Sequence, residues 1–190
     1  MPGFAPPVSD ERHGLFGYLE MQRVNVRTMA FGLTDEQARS APSASSLSVG
    51  GLVKHLAATE RAWTGRAVGR EPSGGADDYV SGFVMGPDET LAGLLADYDA
   101  ATRETDETLG ALPLEAPVPV GHEPWFPKDV ENWSVRWVLL HLIEETARHV
   151  GHIDIVRETV DGATWYELIA AADGTPPAPW IQPWRPAARG

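Results

Sequence analysis

Glu145, His149 and His152 fall within the run His141-Leu-Ile-Glu-Glu-Thr-Ala-Arg-His-Val-Gly-His152, where helical spacing stacks potential metal ligands on one face. At about 100° and 1.5 Å per residue, His149 lies roughly 40° around and 6 Å along from Glu145, and His152 returns to within about 20° of it. His141 belongs to the same sector. Carboxylate and imidazole suit a divalent transition ion, and a pair four residues apart can hold one ion from a single helix. A third ligand must then come from another element. Asp154 projects about 180° from Glu145 and is excluded from the inner group. Glu144 and Arg148 have the spacing of an exposed ion pair.

The elements that must position these residues read as long helices. From Ser9 to Phe31, Leu15, Tyr18, Leu19, Val26 and Met29 recur at helical spacing, with Ser9 or Asp10 able to cap the start and Gly32 to stop the helix. A short turn of helix follows at Thr34 to Arg39. A second long helix runs from Ser48 to about Val68, with Leu52, His55, Leu56, Thr59, Ala62 and Trp63 along its inward side. Gly69 to Gly82 reads as an exposed connection, and Pro87 and Asp88 suit the first positions of a third helix reaching about Leu112. The proline-rich stretch from Pro113 to Pro127 reads as an irregular crossover. Ser134 then caps a fourth long helix to about Val160, ended by Asp161-Gly162. A short helix over Thr164 to Ala171 and a proline-rich tail from Thr175 to Arg189 complete the chain, the tail either wrapping the domain or staying free of it.

No segment shows sustained alternation with hairpin turns, so the expectation is all-α: a four-helix bundle with crossover connections, short extra helices and the tail. The bundle domain is expected over residues 1–173 and the tail over 174–190. If the second and fourth long helices pack together, His55 points across toward Glu145 and His149, giving three ligands and an open position for water or substrate. His152 is then a fourth ligand, a replacement for Glu145, or a partner that holds another ligand in place. His141 reads as a core or supporting residue. Among the seven tryptophans, Trp63, Trp133 and Trp137 read as packing between helices or over the crossover. Trp125 and Phe126 are pocket-edge candidates, and Trp180 and Trp184 have either the domain or a second subunit to pack against.

Composition narrows what such a site can serve. The 190 residues carry a formal net charge of -12 and no run of Lys and Arg, which argues against a phosphate-tracking nucleic-acid protein. The longest apolar stretch, near Trp137 to Ile143, is too short to span a bilayer. The start lacks a basic segment followed by an apolar one, so a cytoplasmic protein is expected. With no cysteine, the chain supplies no disulfide, zinc finger or thiol nucleophile, and any thiol chemistry has to use a thiol from outside.

Ser48-Val-Gly-Gly-Leu-Val-Lys-His55, the proline-rich crossover, Trp133-Ser-Val-Arg-Trp137 and the run from His141 to Asp154 together resemble the DinB-like and YfiT-like metal-binding bundle superfamily, in a branch related to mycothiol-dependent enzymes. The resemblance covers nearly the whole chain before the tail. It implies a metal held by a histidine of the second long helix and two residues one turn apart on the last, here His55, Glu145 and His149. Many members carry histidine where this chain has Glu145, and many carry glutamine at the position of His152. The resemblance further implies a divalent metal, zinc or nickel, and a transferase or isomerase that uses a low-molecular-weight thiol such as mycothiol on a small-molecule electrophile. His152 would orient the bound group or act as acid or base, and a homodimer is implied as well. Two other readings remain open: a hydrolase whose metal activates water, and a non-catalytic metal- or ligand-binding bundle.

Overall fold

A computed structural model describes residues 4–70 and 81–186. Its described residues form six helices: α1 (Glu11–Ala30), α2 (Asp35–Arg39), α3 (Val49–Ala67), α4 (Leu91–Gly110), α5 (Val135–Asp161) and α6 (Trp165–Ala172). The ends are chemical. Asp10, Ser48, Thr90 and Ser134 each accept a backbone N–H from three residues on, meeting one of the unpaired donors of α1, α3, α4 and α5. Thr34 and Gln37 form a reciprocal capping box on α2. α5 stops where Gly162 takes φ +75°, a left-handed conformation open to glycine, and its N–H bonds the Glu158 carbonyl at 2.9 Å.

α1 packs against α5 and α3 against α4, while α3 also meets α5 across the bundle. This is the expected all-α bundle. Its apolar interior falls into two clusters. One gathers Val26, Met29, Leu52, Leu56, Tyr98, Ile153 and Leu168; the other gathers Leu19, Trp63, Leu109, Val118, Leu139 and Leu142. Between them on one side lies a fully buried ion pair, with Arg23 Nε and Nη2 donating to the two oxygens of Glu60 at 2.8 and 2.9 Å and Nη1 to Asp106 at 2.8 Å. Thr64 and Thr105 join their hydroxyls at 2.8 Å beside it. The Tyr98 hydroxyl is buried and makes no hydrogen bond; burial pushes its pKa up.

Several local readings change. Tyr18, assigned to the buried stripe of α1, is 51% exposed. The third long helix begins at Leu91 rather than at Pro87 and Asp88, because the preceding backbone is tied to α2: Arg39 bonds the carbonyls of Gly86 and Glu89, and Leu91 N–H donates to Asp35 at 2.7 Å. The crossover also contains a small antiparallel ladder, β1 (Pro117–Pro119) with β2 (Asn132–Ser134). Val120 N–H bonds Glu131 and Val135 N–H bonds Ala116, so the even-numbered residues of β1 face the partner strand. Pro117 and Pro119 therefore occupy positions whose missing N–H would point outward, and the prolines are accommodated.

Of the two fates for the tail, its described part wraps the domain. Trp184 N–H donates to the Glu167 carbonyl at 2.9 Å, and its ring meets Phe31 edge-on and lies 5.1 Å from the Arg157 guanidinium. Trp180 is exposed. The connection read over Gly69 to Gly82 lies, over residues 71–80, outside the described residues, as do the last four residues of the tail. No helix among the described residues is long and apolar enough to cross a membrane.

Candidate metal centre

Along α3 the first apolar cluster ends at Ala57 and the second begins at Trp63; along α5 the second ends near Ile143 and the first begins at Val150. Glu145 and His149 lie in the gap on α5, and His55 meets them from α3 near the end of the first cluster. Glu145 Oε1 sits 3.2 Å from Nε2 of His55 and 3.2 Å from Nε2 of His149, joining α3 to α5 through one oxygen. One ligand atom from each residue lies within 4.8 Å of the others. His55 and His149 are 6% and 7% exposed, while the Glu145 side chain keeps 20%, so the group is walled by protein but reachable.

The donor set fits a divalent ion. Ligands about 2.1 Å from a tetrahedral centre stand roughly 3.4 Å apart, close to the two short separations here. Two imidazoles and one carboxylate leave at least one coordination position for another molecule. Hydrogen bonds from His149 and then His55, opposed by burial, hold the Glu145 carboxyl well below the usual carboxylate range. It is thus ionised and ready to coordinate.

Sequence spacing also nominated His152 and His141. His152 lies on the outer side of α5 with Nδ1 3.3 Å from Nδ1 of His149, on the opposite side of that ring from the Nε2 that meets Glu145. It stands behind His149 and outside the group of three. Partial desolvation, then the neighbouring His149 and Arg148, lowers its pKa. His141 is half-buried, stacks on Trp137 at 5.1 Å and meets Trp63 at 4.7 Å, so it is a supporting ring in an aromatic cluster. Burial lowers its pKa against the opposing pull of Glu145 and Glu144. Asp154 is outside the group, and Glu144 accepts from Arg148 at 2.5 and 3.0 Å as an exposed pair.

Phe83 was not nominated. Its ring stacks on His55 at 3.8 Å with planes 19° apart, and lies 5.8 Å from His149. Gly50 and Gly51 permit this approach: a Cβ on Gly51 would collide with the Phe83 carbonyl, and one on Gly50 with the Met85 sulfur. The paired glycines one turn before His55 were the available signal. Thr59, one turn after His55, brings its hydroxyl 3.4 Å from His55 Nε2.

No curated protein matches this chain. The family model described as mycothiol-S-transferase matches residues 14–162, a span that includes most of α1, the whole of α3 and α5, and all three members of the group. The chain belongs to the mycothiol-S-transferase family.

Proposed function

We propose that this chain is a divalent-metal-dependent transferase that joins a low-molecular-weight thiol, mycothiol, to a small-molecule electrophile. The observation that carries the reading is the convergence of His55, Glu145 and His149 from two helices in a chain of this family that has no cysteine. Those three residues would hold the ion, zinc or nickel. When bound, the ion supplies Lewis-acid chemistry that lowers the pKa of a coordinated thiol toward neutrality.

The chain's own residues orient and exclude. Phe83 stacks on His55 and restrains its ring plane, while burial of both histidines limits their contact with bulk water. Glu145 draws the two Nε2 atoms to one point. His152 is the positioning residue, acting through Nδ1 of His149 and setting which of that ring's nitrogens carries the proton.

The test begins with elemental analysis of protein purified without a metal-affinity tag. One ion per chain, lost in folded His55→Ala and His149→Ala variants, supports the site. Mycothiol-dependent consumption of an electrophile should then disappear on chelation and in His149→Ala. Turnover that survives both treatments sinks the mechanism, and turnover without any thiol points instead to hydrolysis.

A further inference from the structure

Beside the metal group, the junction of α3 and α5 continues into aromatic rings. Trp133 and Trp137 stack with centroids 4.4 Å and planes 5° apart, and Trp137 stacks on His141 at 5.1 Å and 14°. Trp63 of α3 meets all three, at 5.2, 5.2 and 4.7 Å. Phe126 of the crossover closes against Trp133 at 4.9 Å. Arg66, ion-paired with Glu123, lies over both Trp63 and Phe126 and so ties the crossover to the stack.

Trp133 of β2 stacks on Trp137, and Trp137, His141 and Glu145 then follow at four-residue steps along α5, so the run ends at the carboxylate of the metal group. On α3, Trp63 stands one turn beyond Thr59, which touches His55. Only Trp63 is buried; Phe126, Trp133, Trp137 and His141 keep partial exposure. Indole faces are electron-rich, and they complement the face of an electron-poor ring.

Resting on the thiol-transfer reading above, we infer that this stack is the electrophile subsite and selects a planar, electron-poor aromatic ring that carries a leaving group. The thiol sulfur attacks the ring carbon bearing the leaving group and forms a C–S bond. The carbon–halogen bond breaks with its electron pair on the departing halide, and the thiol proton passes to water. No oxidant or reductant is required.

The test separates ring binding from turnover. Unreactive 1,3-dinitrobenzene is titrated into the full chain with 15N-labelled indoles, the Trp133 and Trp137 signals being assigned from Trp133→Phe and Trp137→Phe. Saturable shifts at those two signals are expected, with binding about three- to tenfold weaker in Trp133→Leu and an intermediate loss in Trp133→Phe, which keeps a ring and guards against misfolding. The ratio of kcat/KM for 1-chloro-2,4-dinitrobenzene to that for chloroacetamide should fall by a similar factor in Trp133→Leu. Absence of saturable shifts at Trp133 and Trp137, or an equal loss toward both electrophiles, overturns the subsite. If neither electrophile is turned over while the shifts and their weakening in Trp133→Leu persist, the subsite stands and the thiol-transfer reading falls.

Discussion

Gly51→Ala and Gly151→Ala make the same chemical change on the two helices of the metal group and should act in opposite directions. In a helix an alanine is worth up to about 1 kcal/mol over glycine. Gly151, exposed in the middle of α5 with open space where a Cβ would stand, should realise that gain. At Gly51 the new methyl meets the Phe83 backbone and the Ser48 hydroxyl that caps α3. Overpacking costs typically about 1–3 kcal/mol, and a backbone collision sits at the upper end. Subtracting the helix gain leaves a net loss of about 2 kcal/mol. For a chain of this size each kcal/mol moves Tm by roughly 2–4 °C, so Gly51→Ala should melt about 4–8 °C lower and Gly151→Ala about 2–4 °C higher, measured in chelator. Displacing Phe83 from His55 should also weaken zinc binding by about tenfold or more in chelator competition, as loss of a supporting partner does. A Gly51→Ala protein that is stabilised like Gly151→Ala, or that binds zinc as the wild type does, refutes the argument that the paired glycines exist to seat Phe83 on the ligand.

His152→Ala should lower zinc affinity about 10- to 100-fold while leaving the melting temperature of the metal-free protein nearly unchanged, because its contact is with the back of a ligand; competition titration beside a melt in chelator checks both. Arg23→Met leaves Glu60 charged and buried and should cost about 3–5 kcal/mol in urea unfolding, whereas adding Glu60→Leu should restore most of the loss. Asp154 has a buried oxygen without a partner, and burial followed by Glu158 raises its pKa. A raised folded pKa means that ionisation opposes folding above it and that the penalty fades as pH falls toward the unfolded value of about 3.9. Asp154→Asn should therefore be more stable than wild type at pH 7.5, with the gap narrowing at pH 4.5, as read from urea midpoints at the two pH values.

What could be read from the sequence was what local spacing determines. Ser48, Ser134 and Gly162 mark helix ends through bonds to residues three or four away, and Glu145 and His149 share a face by helical geometry alone. His55 required one further step, the packing of α3 on α5, which the family resemblance supplied. The missed features are pairings between residues far apart in the chain. Arg23 and Glu60 are 37 residues apart and belong to different helices, so no periodicity links them. Phe83 lies outside the helices, and its role depends on a backbone approach that only the missing side chains of Gly50 and Gly51 betray. The ladder at Pro117 and Pro119 was hidden because proline usually argues against pairing, and the exception depends on which way each N–H would point.

The two polar layers inside the bundle differ in how their charge closes. Arg23 brings a cation to Glu60 and Asp106, and the layer is complete within the protein. The carboxylate of Glu145 is shared instead by two imidazoles, and the Arg148 guanidinium is engaged by Glu144 at the surface. With both rings neutral, the Nε2 atoms that bond Glu145 would carry the protons, leaving Nδ1 of His149 as an acceptor to which His152 would donate. If Nε2 of His149 held an ion, that neutral ring's proton would sit on Nδ1 and His152 would accept its hydrogen bond. A histidine suits this place because a neutral imidazole can take either role at the same nitrogen, whereas a lysine could only donate and a carboxylate only accept. The reversal needs no movement of the backbone, and it gives His152 a reason to lie behind His149 rather than among the ligands.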